Sequence, residues 1–132
     1  MLEKKRKNCS TDNAPGYIPW MAHAVRVGDI VFAGGAIPRH PKSLEIPYAF
    51  KDQCKQAFDN LEAELSGAGT SLKNAARIHV WLKDLKNWQD MNEIYRKYID
   101  ESNPPCRTTV QVSRMNNDYQ VEVDAIAAMA ED

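Results

Sequence analysis

The pattern of hydrophobic and polar positions divides the chain into strands, helices and loops. Residues 21–38 contain two β-rich runs that meet at Val27-Gly28-Asp29. A Gly-Asp pair between β-branched residues suits a tight turn, so this segment predicts a β-hairpin. Residues 38–47 carry three prolines, and they predict a loop because proline is excluded from central strands and helix interiors.

After Tyr48 the hydrophobic period lengthens to three and four residues, which predicts an amphipathic helix that Gly67 and Gly69 end. The apolar positions of this helix are Phe50, Cys54, Ala57, Phe58, Leu61 and Leu65. Residues 76–82 return to strict alternation, the period of a strand with two different faces.

A second helix is predicted to begin at Asn87 and to end at Asn103-Pro104-Pro105. Its apolar stripe consists of Trp88, Met91, Tyr95 and Tyr98. Two more strands are predicted near residues 107–112 and 119–129. The order β-β-α-β-α-β-β predicts an α+β fold in which two helices cover one face of a mixed sheet.

Alternation also predicts which side chains share a face of the sheet. Val121, Val123 and Ala125 suit the face under the helices. The other face is predicted to carry Arg107, Thr109, Gln111, Glu122, Asp124 and Ile126. Because that face mixes charged residues with Trp81 and Ile126, we expect a partner subunit to cover it.

Length and composition predict one domain over residues 15–132, preceded by a flexible tail at residues 1–14. No apolar run reaches the roughly 20 residues of a membrane span, and Lys+Arg 17 against Asp+Glu 18 argues against a nucleic-acid partner. The three cysteines have no metal-ligand spacing. The basic N-terminus lacks an apolar signal region, so we expect a cytoplasmic protein.

Five segments occur in an order and spacing that resemble the Rid (reactive intermediate deaminase) family, also known as YjgF. They are VGDIVFAGGAIP, LEAELSGAGTSLKNAARIHVWLKDL, MNEIYRKYI, PPCRTTVQVSRM and VEVDAIA. The resemblance covers about residues 14–129. It implies a chorismate-mutase-like fold (bacillus type), a homotrimer with sites in the clefts between subunits, and hydrolysis of amino-acid enamines and imines to 2-keto acids and ammonia without a cofactor.

The resemblance assigns the main roles to Arg107 and Asp124. Arg107 stands in the family's Pro-x-Arg-[Ser/Thr] motif and would hold the substrate carboxylate, which suits the planar, permanently charged guanidinium. Its alternative role is a structural salt bridge between subunits. Asp124 stands where the family has a Glu that holds the attacking water, and a carboxylate near the imine carbon can do this work. Its alternative is an ordinary solvent-facing aspartate.

Other expected substrate-binding positions depart from the family pattern. Gly34-Gly35 replaces Ser-Gly, so the Gly35 N–H can approach an anion while the hydroxyl is lost. Thr109 replaces a cysteine and would contribute its backbone N–H. Either Trp20 or Met21 takes the place of the family's tyrosine. Asn92 matches a position near the pocket, or is a surface residue of the helix.

The sequence is therefore compatible with two functions from different classes. The first is an enzyme that hydrolyses a 2-imino or 2-enamino acid, either a general metabolic one or an intermediate of a single pathway. The second is a non-catalytic relative that binds a metabolite or partner through the same cleft. An endoribonuclease or translation inhibitor is disfavoured by the balanced charge. His79 is expected to be a packed or interfacial histidine rather than a base.

Overall fold

The computed structural model describes residues 5–16 and 18–131 of the 132-residue chain. Its centre is a six-stranded sheet in the order β1-β2-β3-β6-β4-β5, in which β4 and β5 are parallel and all other neighbours antiparallel. The strands are β1 (Arg6–Cys9), β2 (Ala24–Val27), β3 (Ile30–Ala36), β4 (Ala75–Leu82), β5 (Cys106–Gln111) and β6 (Val121–Ala128).

Two α-helices, α1 (Phe50–Gly67) and α2 (Trp88–Tyr95), pack on one face of this sheet. The predicted stripe of α1 is buried, and Leu61 and Leu65 are fully inaccessible to solvent. Val121, Val123 and Ala125 of β6 are buried beneath the helices, as expected. The predicted α+β architecture with two helices on one face is therefore confirmed, and apolar burial is its main source of stability.

The predicted hairpin and loop are also present. Val27 pairs with Ile30, so Gly28 and Asp29 form a two-residue turn between β2 and β3. Gly28 has a φ of 59°, a conformation that glycine adopts without steric cost. Residues 38–47 contain neither strand nor helix. Over the part of the chain with assigned structure, no helix is both long and apolar enough to cross a bilayer.

The prediction of a tail over residues 1–14 is wrong where it includes β1. Arg6–Cys9 form the edge strand of the sheet and pair antiparallel with β2. Cys9 is buried, whereas Arg6, Lys7 and Asn8 are exposed. An exposed edge strand rich in charge has no apolar alternation by which it could be recognised. Residues 1–4 of the predicted tail lie outside the described residues.

Helix α2 ends earlier than predicted, at Tyr95 rather than near Asn103. Tyr98 lies in the turn that follows, where its hydroxyl donates a hydrogen bond to Asp59. The ring of Tyr98 stacks on Phe58 of α1 at 5.2 Å between centroids. Its helical spacing therefore indicates contact with the core, although the backbone there is no longer helical.

The strand β5 presents the opposite faces to those predicted. Arg107 pairs with Ile78 and Thr109 pairs with Val80, and directly paired residues point to the same side of a sheet. Ile78 and Val80 are fully buried under the helices. Arg107 and Thr109 therefore lie on the helix side, whereas Asp124 pairs with His79 on the open face. The expectation that Arg107, Thr109 and Gln111 share a face with Asp124 is wrong.

Candidate functional site

A bulge in β3 places two glycines against two carboxylates of β6. The register between the strands shifts between Ala33 and Ala36, where three steps of β3 oppose two steps of β6. A Cβ at Gly34 would lie 2.6 Å from the Asp124 Cβ, and Gly34 has a φ of 118°. A Cβ at Gly35 would collide with the Glu122 carboxylate. Position 34 therefore requires glycine for this approach of β3 to β6, whereas a side chain at Gly35 would displace the Glu122 carboxylate.

Asp124 has both carboxylate oxygens engaged by side chains of β4. His79 Nδ1 is 2.6 Å from Asp124 Oδ1, and Trp81 Nε1 donates to Asp124 Oδ2 at 2.9 Å. The antiparallel register of β4 and β6 creates this cluster by placing His79 directly opposite Asp124. The side chains of His79 and Asp124 are 30% and 29% exposed, so the cluster remains accessible from the open face.

Glu122 lies beside the Asp124 cluster and is partly buried. Burial, and then the neighbouring charge of Asp124, raises the pKa of the Glu122 carboxyl above its ordinary value. Glu122 lines a depression of about 480 Å³ together with Gly35, Met21 and Arg39. An adjacent depression of about 360 Å³ is lined by Gly34, Gly35 and Asp124. Gly35 thus borders both depressions, and Asp124 itself lines the second of them.

Arg107 lies in a second environment, formed by α2. Its Nη1 donates to Asn92 Oδ1 at 2.8 Å. The guanidinium carbon is 4.6 Å from the ring centroid of Tyr95 and 5.0 Å from that of Trp88, which are distances for cation–π attraction. Burial lowers the pKa of Arg107 from its ordinary value. No carboxylate of the described residues lies within 4.0 Å of the guanidinium.

The remaining predicted positions divide between these two environments. Asn92 contacts Arg107 directly, and Thr109 lies on the same face of the same strand. The Thr109 hydroxyl oxygen is buried and has no hydrogen-bond partner within residues 5–16 and 18–131. Met21 lines the depression beside Gly35. Trp20 does not line it and is 80% exposed, so of these two residues Met21 alone borders the depression.

One protomer does not bring Arg107 and Asp124 together. Strand β4 separates their strands, which places the two backbones about 9–10 Å apart, and their side chains leave opposite faces. The sequence also does not predict the contact of His79 with Asp124, which depends on the β4–β6 register. Among the residues with described structure, no group of three or more His, Cys, Asp or Glu side chains could hold a metal ion.

Comparison with known proteins identifies relatives over nearly the whole chain. The sequence profile described as Endoribonuclease L-PSP matches residues 11–129. RutC family protein PH0854 of Pyrococcus horikoshii is 41% identical over 118 residues, covering 89% of this chain and 93% of that protein. The 2-iminobutanoate/2-iminopropanoate deaminase of Escherichia coli K12 is 32% identical over 123 residues, covering 92% and 96%.

The fold has close counterparts among solved structures. The crystal structure of E. coli TdcF with bound serine superposes with a TM-score of 0.87 at 32% identity, covering 94% of this chain and 99% of that chain. The crystal structure of the YjgF gene product from E. coli gives the same TM-score at 30% identity, covering 94% and 99%. These similarities agree with the expected chorismate-mutase-like architecture.

Proposed function

Because the chain belongs to the Endoribonuclease L-PSP family, which includes the Rid (YjgF) proteins, we propose that it hydrolyses a 2-imino or 2-enamino acid. The products are the 2-keto acid and ammonia. One relative is named 2-iminobutanoate/2-iminopropanoate deaminase, and the TdcF structure contains bound serine. Both support a substrate of this size that carries a carboxylate. The proposal includes a cytoplasmic location and no cofactor.

The observation that carries the proposal is the environment of Arg107. The guanidinium is half-buried, held by Asn92 and two aromatic rings, and has no carboxylate partner among the described residues. A permanently charged group in this position favours an anionic ligand, and a planar guanidinium can bind a carboxylate with two parallel hydrogen bonds. In this proposal Asn92 positions Arg107, and Thr109 on the same strand contributes its backbone N–H.

A complete site needs two protomers, because Arg107 and Asp124 lie on opposite faces of one sheet. We therefore propose that Arg107 of one protomer meets Asp124, Gly34, Gly35 and Met21 of the next. The open face suits such an assembly, since it exposes apolar side chains that a neighbouring subunit would bury. These side chains are Val27, Ile30, Phe32 and Val110. A homotrimer with three equivalent clefts fits this arrangement, and light scattering at micromolar concentration tests it.

The balanced charge of the chain gives no support for a function in nucleic-acid binding. Lys+Arg 17 against Asp+Glu 18 leaves a net charge of −1, whereas RNA-binding surfaces are strongly basic. Salt-dependent binding of RNA would contradict this part of the proposal.

Ammonia release tests the proposed activity directly. An amino acid oxidase generates 2-iminobutanoate from L-2-aminobutanoate, and semicarbazide traps the imine that has not yet been hydrolysed. The protein should raise the rate of ammonia release and lower the trapped fraction in proportion to its concentration. If it binds 2-oxobutanoate but leaves both readouts unchanged, it is a non-catalytic metabolite-binding relative. If it does neither, the proposal is wrong.

A further inference from the structure

We propose that His79 is the proton-transfer group of this site and that Asp124 acts by holding His79 in the required tautomer. The inference rests on the proposed deaminase function and changes the role of Asp124 within it. Asp124 becomes a positioning residue, and the imidazole of His79 becomes the base that activates water.

The hydrogen bonds of Asp124 determine the state of the imidazole. An ionised carboxylate only accepts hydrogen bonds, so the 2.6 Å contact to Oδ1 places a hydrogen on His79 Nδ1. Neutral imidazole carries one ring hydrogen, and Nε2 is therefore left with a lone pair. Trp81 can only donate, and it engages Oδ2. Asp124 is thus fixed from both sides, with Nε2 of His79 as the free basic atom.

The position of His79 suits a base that reacts with a small ligand. Its side chain is 30% exposed on the open face, and Nε2 has no hydrogen-bond partner within the part of the chain that the structure describes. The ring is held between Asp124 and Trp81, whose ring centroid is 5.9 Å away. A half-exposed imidazole with one nitrogen anchored and the other free is poised for proton transfer.

The donors on Asp124 distinguish this proposal from the simpler assignment, in which the carboxylate holds the water on a remaining lone pair. His79 and Trp81 each direct an N–H at one oxygen. A water molecule would have to share an oxygen with one of them. His79 Nε2 is a basic atom of the same cluster that accepts no hydrogen bond from the described residues. Apart from Asp124, the charged residues nearest to His79 by strand register are Arg77 and Glu122.

The proposed step balances without any further reactant. The water oxygen forms a bond to the carbon of the protonated imine, the C=N π electrons move onto nitrogen, and a water proton passes to His79 Nε2. The imidazolium then protonates the amino nitrogen. The C–N bond breaks with its electron pair leaving on ammonia, the hydroxyl oxygen forms the carbonyl, and its proton passes through Nε2 to the ammonia, which leaves as ammonium.

The first test removes the basic nitrogen. His79→Gln can still donate to Asp124 but has no basic atom, so kcat for 2-iminobutanoate should fall about 10²- to 10³-fold, within the usual range for a general base. KM and the Kd of 2-oxobutanoate should stay within a factor of about two, because uniform binding is unaffected. His40→Gln is the matched control, since His40 is an exposed loop histidine, and it should retain wild-type rates.

Chemical rescue separates a missing base from a damaged fold. In His79→Ala, added imidazole should recover a measurable part of the lost rate and saturate with its concentration, whereas His40→Ala should not respond. If the wild type is active and His79→Gln keeps its kcat, the proposed role of His79 is wrong but the proposed deaminase function stands. A wild type that accelerates no imine would overturn both this role and the proposed function.

Nitrogen-15 NMR of the wild type gives a readout that needs no variant. The His79 resonances should show hydrogen on Nδ1 and a lone pair on Nε2 at pH 8. A spectrum with hydrogen on Nε2 in the active protein would contradict the proposal, even if every His79 variant failed to fold.

Discussion

The environments of Arg107 and Asp124 differ in what they leave free. Arg107 is held by neutral groups, namely an amide and two aromatic rings, and keeps its charge available for an anion. Asp124 has donors on both oxygens. The first environment is suited to binding and the second to positioning a neighbouring group.

The origin of this difference lies in the strands. Arg107 is on the edge strand β5, and its side chain reaches a helix of only 8 residues, α2. Asp124 is on the central strand β6, opposite His79 in β4 and against the Gly34-Gly35 bulge in β3. Sheet register therefore constrains Asp124 from two sides, whereas Arg107 is constrained mainly by α2.

The largest effect should come from Asp124→Asn, which keeps the shape but leaves a single acceptor oxygen. Trp81 can only donate, so it should hold that oxygen and turn the amide NH₂ toward His79 Nδ1. The hydrogen then moves to Nε2, and kcat should fall about 10²-fold or more. Binding of 2-oxobutanoate should not change.

Two companion variants show whether Asp124 acts through His79. Trp81→Phe removes the donor that competes with His79 for the amide oxygen. The double variant Asp124→Asn/Trp81→Phe should therefore have a higher kcat than Asp124→Asn alone, whereas two independently damaging substitutions would lower kcat further. Asp124→Glu keeps the charge but should still slow the reaction, because the longer side chain displaces the imidazole. A Glu variant as active as wild type would favour direct positioning of water by the carboxylate.

The next largest effect should come from Arg107→Lys. A point ammonium lacks the planar two-pronged grip, so the Kd of 2-oxobutanoate should rise about 10- to 100-fold, the equivalent of one charged hydrogen bond. Arg96→Lys is the matched control, because Arg96 forms an exposed ion pair with Glu101. Isothermal titration of 2-oxobutanoate measures both variants. Unchanged affinity in Arg107→Lys would make Arg107 a structural residue.

The sequence predicts those parts of the fold whose periodicity is dominated by burial. Helix α1 has apolar residues at helical spacing, and β6 alternates between apolar and polar residues. The β2–β3 turn is marked by Gly28-Asp29. Strand β1 lacks such a signal, since three of the four residues Arg6–Cys9 are polar and its pairing with β2 is a tertiary contact. The end of α2 is missed because Tyr98 keeps helical spacing in a turn.

The candidate site shows the limit of alternation more clearly. In CRTTVQ the more apolar alternate set is Cys106, Thr108 and Val110, so alternation predicts that Arg107 and Thr109 face away from the helices, and this prediction is wrong. The observed pairing of Arg107 with Ile78 shows the opposite. His79 and Asp124 are 45 positions apart, and only the β4–β6 register makes them partners.

A smaller effect, on stability, should come from filling the bulge that supports the Asp124 cluster. Gly34→Ala places a Cβ against Asp124 at a φ that other residues rarely adopt, which should lower the free energy of unfolding by about 2–4 kcal/mol. Gly16→Ala is the control, since a Cβ there meets nothing within 4 Å. Urea unfolding compares the two. Equal stability would mean that β3 and β6 can separate at no cost.

The smallest effect should come from Glu122→Gln, and its pH dependence identifies the cause. Burial and the charge of Asp124 raise the pKa of Glu122, so the folded protein binds this proton more tightly than the unfolded chain. Its stabilising contribution is present below about 4.5, the ordinary value, and is lost as pH rises.

Ionised Glu122 is a second, partly buried carboxylate beside Asp124, and Glu122→Gln removes that charge. The variant should unfold at a higher temperature than wild type at pH 7, by less than the loss caused by Gly34→Ala, and the gain should disappear as the pH approaches 4. Glu45→Gln, at an exposed loop position, should show no such gain. A gain of equal size at pH 4 and pH 7 would point to packing of the amide, and the repulsion between Glu122 and Asp124 would then have no part in it.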